Sequence, residues 1–396
     1  MFAAAFLFAL PMVARTALVA LAAVLVFLVV QYLHLYLVVA WGEKRTAGNG
    51  YFGRPLAERK RFKRLLRCHR LVLSPILWPL SRLSRFRFST ASFSYRGVPG
   101  PRGTCSPESF RLAVEYEPRS DDVFVATQMK CGTTWMQHVV YQVLMRGAGD
   151  LAETGTALYA VSPWIESLKS VSVNEAPRVG IQRPSRIIKT HLPVSLCPYR
   201  AEAKYIYVCR HPVSCFASCA DFIRTNAGAF AAALDEIERW FCSEASMWWG
   251  TWPSHVRGWW SWSRGRENVL FVSFEEMKRD LRRVVQRVAE FLAVQPLEAA
   301  EIDAIVGKCS FEYMRKHADL FEMNPPHVLQ TPSSLLVSGK LDRHKDVPDA
   351  FRQRLLTWCR SEMHGSDFPL EVYYPDIAAA AAPGVLQRDE PHGNAH

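Results

Sequence analysis

No Cys-X-X-Cys pair occurs anywhere in the 396 residues, although there are ten cysteines. Their density and spacing exclude a disulfide framework and a structural zinc site. Cys209, Cys215 and Cys219, the tightest group, are read as reduced structural thiols, which fits a reducing, cytosolic compartment. A nucleic-acid footprint is missing too, despite a formal charge of +11. Residues 41–103 carry fifteen Lys and Arg against Glu43 and Glu58, whereas 32 basic and 35 acidic residues follow from Thr104 onward. The body is mildly acidic, and the surplus sits beside an apolar N-terminus. That is the charge geometry of a membrane-surface segment, not of a duplex-binding face.

Asp, Glu, Lys and Arg are absent from Thr16 to Ala40, where Leu, Val and Ala dominate. As a helix these residues span about 37 Å, more than the ~30 Å hydrocarbon core of a bilayer. The run is too long for the apolar region of a signal peptide, and its all-round apolarity argues against a soluble core helix. Arg15 stands alone before it, whereas Lys44, Arg45, Arg54, Arg59, Lys60 and Arg61 follow it. This asymmetry places everything after residue 41 in the cytoplasm. A second apolar patch, Leu71 to Leu80, is flanked by arginines and contains two prolines. It is too short to span and is expected to lie on the membrane surface or serve as a solvated linker. The chain is therefore divided into an anchor (1–41), a basic juxtamembrane linker (42–94), a main domain (95–376) and a disordered low-complexity tail (377–396).

The main domain alternates strand and helix. Apolar, β-rich runs occur at Asp122–Gln128, Arg186–His191, Lys204–Arg210 and Asn268–Phe274. Helical periodicity is expected over Thr134–Arg146, Val213–Arg224 and Glu275–Leu292. This predicts an α/β fold, a parallel sheet covered on both sides by helices, with ligands at the carboxyl ends of strands. Three runs end in a polar residue there: Lys130, His191 and Arg210.

Lys130, Cys131, Gly132, Thr133 and Thr134 link the first strand to a helix. Backbone N–H groups at a helix N-terminus, a glycine and a lysine together make an anion site. A Walker A loop is excluded because the lysine precedes the glycine, and no Mg²⁺-binding acidic strand is evident. A metal-free anion donor is favoured.

These residues carry a resemblance. "MKCGTTW" (Met129–Trp135) is similar to the phosphosulfate loop of the cytosolic-type sulfotransferases, which use 3′-phosphoadenosine 5′-phosphosulfate (PAPS). "KTHLP" (Lys189–Pro193) resembles their catalytic segment, and "YVCRHPVSCFASC" (Tyr207–Cys219) their 3′-phosphate segment. "GTWPSHVRGWW" (Gly250–Trp260), "VLFVSFEEMKRD" (Val269–Asp280) and "CSFEYMRK" (Cys309–Lys316) follow in family order.

The resemblance implies a P-loop-like three-layer fold and roles for individual residues. His191 would take the acceptor's proton, Lys130 would stabilise the bridging oxygen, and Lys189 would contact the sulfuryl group. The 5′-phosphate would sit on Cys131, Gly132, Thr133 and Thr134, and the 3′-phosphate on Arg210 and Ser218. Trp135, Phe274 and Phe311, with Cys309 beside them, would hold the adenine. Phe274 replaces the tyrosine common in the family. The family's C-terminal Arg-Lys-Gly element is absent from Ser333–Asp346, where Lys340 or Arg343 could supply the missing charge.

Seven tryptophans between Trp240 and Trp262 are read mainly as core, and Leu151–Pro177 and Met323–Pro332 as acceptor loops. The expectation is thus a membrane-anchored, cytosol-facing sulfotransferase for a small-molecule or lipid acceptor, using PAPS and no metal. The alternatives are a Golgi-lumenal glycan sulfotransferase, which needs the opposite charge asymmetry, and a non-catalytic scaffold binding adenosine bisphosphate.

Overall fold

The computed structural model describes residues 11–294, 296–331 and 343–380. Four strands form the central sheet: β3 (Asp122–Ala126), β4 (Arg186–Thr190), β5 (Lys204–Cys209) and β6 (Val269–Ser273). They follow a small antiparallel hairpin of β1 (Ser92–Tyr95) and β2 (Val98–Pro101). Sheet order is β4-β3-β5-β6, and every neighbouring pair is parallel. Side chains of β3, β4 and β5 are buried on both faces, apart from partly exposed Lys204. That double burial is why these strands read as continuous apolar runs without alternation. Helices α3 (Thr133–Leu144), α4 (Pro212–Ala227), α5 (Trp252–Gly265) and α6 (Leu281–Phe291) supply the cover.

The order of the sheet positions the chemistry. β3 lies between β4 and β5, so the segments leaving its carboxyl end have those of β4 and β5 on either side. Register carries the alignment to the tip, with Ala126 opposite Thr190 on one side and Tyr207 on the other. At the opposite end, the buried Arg186 Nε and Asp122 Oδ1 pair at 3.0 Å. Asp122 also accepts from Tyr116 Oη at 2.7 Å and from the Arg119 N–H at 2.8 Å. A buried pair held by extra hydrogen bonds fixes β4 against β3, since removing one partner would strand a charge.

Two expected elements differ. The helix expected over Glu275–Leu292 is two, Phe274–Arg279 and α6, because Asp280 breaks it and caps the second by accepting the Arg283 N–H at 2.9 Å. The first residues of the tail expected from Ile377 are ordered: Pro375–Ala378 is helical, and Ile377 and Ala380 are buried. The rest of that tail, 381–396, lies outside the described residues.

Preceding the body are α1 (Met12–Thr46) and α2 (Leu56–Leu83). α1 is long and apolar enough to cross a membrane by length and composition, and it overruns the expected Thr16–Ala40 at both ends. α2 overturns only the solvated-linker alternative for Leu71–Leu80. Its 28 residues form one helix through Pro75 and Pro79, with Phe62, Leu66, Leu73, Ile76 and Leu77 buried against the body. Pro75 cannot donate to the carbonyl of Leu71, and Ser74 Oγ donates there instead at 2.8 Å. Arg59 joins the core by donating to the carbonyls of Asp319 (2.6 Å) and Gly155 (3.0 Å).

Candidate active site

A cavity of about 590 Å³ opens at the carboxyl ends of β3, β4 and β5, within the usual size range of ligand pockets. Lys130, Gly132, Thr133, Thr134, Trp135, Lys189, His191, Arg210, Ser218, Phe274, Phe311 and Arg343 all line it. The three strand tips singled out in the sequence therefore face one space.

The loop from β3 to α3 is locally strained. Lys130 has φ +66° and Gly132 φ +106°, a region costly for residues with a Cβ. Gly132 was expected to clear room for an anion; the structure gives it a further reason. A Cβ there would lie 2.8 Å from the Phe274 ring. Gly132→Ala should thus displace Phe274 as well as strain the loop, raising the dissociation constant for adenosine 3′,5′-bisphosphate (PAP) at least tenfold by calorimetry; unchanged affinity would contradict this packing.

His191 is fixed from three sides. Its Nδ1 lies 2.8 Å from the Thr127 carbonyl, which can only accept, so Nδ1 carries the proton and Nε2 is the free base. Its backbone N–H donates to Glu166 Oε1 at 2.7 Å, and the same carboxylate accepts from Thr190 Oγ1 at 3.0 Å. Its carbonyl accepts from His255 Nε2 at 2.9 Å, whose Nδ1 meets Tyr207 Oη at 2.9 Å. Trp164 and Trp249 pack on the ring, with centroids 5.2 and 4.9 Å away. Burial, reinforced by the positive charge of Lys189, holds the imidazole well below its ordinary range and hence neutral.

Of the two lysines, Lys189 is buried and Lys130 half-buried. Burial brings Lys189 down to about 7, against the opposing pull of Glu166, and Lys130 down to about 8. Lys189 Nζ sits 3.4 Å from the centroid of the Trp164 ring, a cation–π contact that retains charge in a dry place.

Arg210 donates through one terminal nitrogen to Ser218 Oγ (2.9 Å) and the Lys130 carbonyl (3.1 Å), its guanidinium lying 4.4 Å from the Phe274 ring centroid. Its buried Nε has no protein partner among the described residues. An orphaned buried donor beside a serine hydroxyl is the chemistry of an anion site. Arg343 reaches the same cavity, anchored to Asp221 at 2.6 Å and with its Nε 3.7 Å from Asp346 Oδ2. Lys340, the other candidate for that charge, lies outside the described residues.

Some expected residues sit differently. The Cys131 side chain is fully buried, its Sγ 3.7 Å from that of Cys215, so only its backbone can face an anion. Cys309 is buried as well, and its carbonyl accepts Trp135 Nε1–H at 2.8 Å; it orients Trp135. Trp135 and Phe274 meet edge to face with centroids 5.5 Å apart instead of facing each other across a slot. Thr133 Oγ1 pairs with Thr127 Oγ1 at 2.6 Å, and Thr134 Oγ1 with Tyr159 Oη at 3.3 Å.

The tryptophan run is mostly core, stacked as in Tyr207–Trp259, but Trp248 and Trp249 line the cavity. Sequence reasoning missed these two, along with Thr127, Trp164, Glu166 and His255. His255 alone had a local signal, sharing a helical face with Trp252 and Trp259.

The "Sulfotransferase domain" family model matches residues 120–367. Sulfotransferase 2B1 of Rattus norvegicus is 30% identical over 316 residues, covering 74% of this chain and 86% of its own length. Sulfotransferase 1E1 of Mus musculus is 30% identical over 247 residues, 60% of this chain and 81% of its own. Among solved structures, mouse sulfotransferase SULT7A1 complexed with PAP matches with a TM-score of 0.54 at 21% identity, over 74% of this chain and 100% of that one. Retinol dehydratase in complex with androsterone and inactive cofactor PAP gives 0.54 at 16% identity, over 72% and 96%. At such identities the solved structures speak for the fold, and the family match and the curated relatives for the chemistry. The chain belongs to the sulfotransferase family and is an enzyme of sulfuryl transfer.

Proposed function

We propose that the protein transfers the sulfuryl group of PAPS to a hydroxyl or amine acceptor, with His191 as general base, from a body held at a membrane by α1. PAPS supplies the activated sulfuryl group and a phosphate leaving group. The observation that carries the reading is the meeting of Lys130, His191 and Arg210 in one cavity, with the proton of His191 fixed on Nδ1.

The residues divide the work. Nε2 of His191 accepts the proton as the acceptor oxygen or nitrogen bonds to sulfur and the bridging S–O bond breaks toward the phosphate. Lys130 and Lys189 meet the negative charge that accumulates on the bridging and sulfuryl oxygens, held in position beforehand and drawn to their charged forms by the bound donor. Such a transfer asks little covalent help of the protein and much alignment. Arg210, Ser218 and Arg343 would hold the 3′-phosphate, and the start of α3 the 5′-phosphate. For the adenine, Trp135 or Phe274 must rotate from their edge-to-face contact, with Phe311 alongside; stacking survives the loss of the family's tyrosine hydroxyl.

The domain boundaries follow suit, with α1 as anchor and a catalytic body from the hairpin onward. The positive flank after α1 supports a cytoplasmic orientation. The test is incubation of the full chain in detergent or vesicles with labelled PAPS and a panel of phenols, alcohols, amines and lipids. Acceptor-dependent release of PAP with a labelled product is expected; absence of both PAP binding and transfer would overturn the proposal.

A further inference from the structure

α2 places more than a linker between the anchor and the cavity. His34 of α1 meets His69 of α2 at 3.1 Å, while Trp41, further along α1, packs on Phe62, earlier in α2. The two helices therefore cross antiparallel, and residues 12–33 of α1 extend to the same side of the crossing as residues 70–83 of α2. On that side α1 exposes its apolar residues all round, and α2 exposes Leu71 (73%), Trp78 (65%) and Leu83 (84%) with Val72. On the other side lie Lys44, Arg45, Lys60, Arg61, Arg64 and Arg67.

The change from basic to apolar falls at the crossing. Residues 16–33 of α1 measure about 27 Å, close to the thickness of a bilayer's hydrocarbon core. Exposed Tyr32 and Tyr36 stand at the boundary, where amphipathic rings gather. The opposite face of α2 is buried in the body, and its apolar outer face has no partner among the described residues. Arg82, over the Trp78 ring at 5.2 Å, keeps the far end at headgroup depth, as an interfacial helix requires.

The cavity joins this face. Ser84, Arg85 and Phe86 follow α2 directly and line the cavity mouth, with Phe230 and Leu329 beside them. Phe86 N–H donates to the Phe230 carbonyl at 2.7 Å, and Arg70 of α2 to the Gln330 carbonyl at 2.6 Å. The mouth is thus fastened to the end of α2 that points toward the bilayer.

We propose that the outer face of α2, at Leu71, Val72, Trp78 and Leu83, lies in the cytoplasmic leaflet of the membrane, so that the mouth at Ser84–Phe86 admits an amphiphilic alcohol directly from the lipid. This rests on the sulfotransferase reading above. An alcohol is favoured over an amine because Lys130, Lys189 and Arg210 repel an ammonium group from the same cavity. The hydroxyl gives its proton to His191, its oxygen bonds to sulfur, and the electron pair of the broken S–O bond leaves on the phosphate. A long alkyl body remains toward Phe86, Phe230 and the acyl chains.

Bimane attached at position 71 in a Cys68→Ser/Leu71→Cys chain, and separately at the rim in Cys68→Ser/Arg85→Cys, tests the surface in phosphatidylcholine–phosphatidylserine vesicles. Brominated phospholipid should quench at least half of the emission at 71 and a measurable part at 85. Unquenched emission at 71, or a label covered by a second copy of the chain in detergent, overturns the proposal. Leu71→Glu/Leu83→Glu should lower sulfation of vesicle-embedded 1-hexadecanol at least tenfold while leaving 2-naphthol in solution within twofold; equal loss on both acceptors, or on neither, overturns it. If neither acceptor is sulfated by the unmodified chain, the sulfotransferase reading fails on these alcohols, and the quenching result alone decides where α2 lies.

Discussion

His191→Ala is expected to lower sulfuryl transfer by about 10²–10⁴-fold, the range for loss of a positioned general base, while leaving PAP affinity within twofold. The separation follows from the geometry. His191 touches Thr127, Glu166 and His255 through its Nδ1 and backbone, whereas the phosphate groups of the donor are assigned to Arg210, Ser218 and the start of α3. An alanine keeps the backbone bonds to Glu166 and His255, so the tip of β4 holds its place while the base goes, with its bond to the Thr127 carbonyl. The pH profile gives a second check. Burial and Lys189 depress the imidazole well below its ordinary pKa near 6.5, so Nε2 is unprotonated throughout the neutral range. The acid limb of kcat/KM should therefore fall below pH 6.5 in the wild type. Calorimetry showing binding and turnover lost together, or an acid limb above pH 7, would refute the assignment.

How far such roles were legible beforehand depends on whether a residue sits in a contiguous pattern. Lys130, Gly132 and the two threonines follow one buried strand directly, and His191 and Arg210 end two others, so strand tips could be read as a site before any coordinates. Glu166 could not. It is a buried carboxylate 25 residues before His191, and its tie to that backbone arises only when the Trp164 segment pairs with β4. Trp249 was hidden for the opposite reason. It lies within a run of aromatics of which most are core, and its place on the His191 ring depends on a φ of +63° that no periodicity announces. The same limit applies to α2. With two prolines its second half does not read as a helix, and the Ser74 hydroxyl that replaces a missing donor becomes meaningful only when the helix is seen.

Arg210→Ala carries the largest expected effect on binding: a loss of about 1.5–3 kcal/mol, the range for a hydrogen bond to a charged group, or roughly ten- to a hundredfold in the PAP dissociation constant. Turnover at saturating PAPS should change far less, because the contacts of Arg210 are with Ser218, Phe274 and the Lys130 carbonyl. Arg210→Lys should restore little, since an ammonium cannot serve Ser218, the Lys130 carbonyl and a phosphate from one planar fork. Part of the loss will pass through the loop: Arg210 donates to the carbonyl of Lys130, a residue held at φ +66°, and without that bond the strained turn has one restraint fewer. The pH dependence separates these contributions. Burial puts Lys130 at about 8 and Lys189 at about 7, and a bound polyanion favours their charged forms, so binding takes up protons and PAP affinity should weaken as pH rises from 7 to 9. Arg210→Ala should keep a slope, moved to higher pH because the Arg210 charge helps depress Lys130, whereas Lys130→Met should flatten it. A flat wild-type profile would mean that neither lysine meets the phosphates.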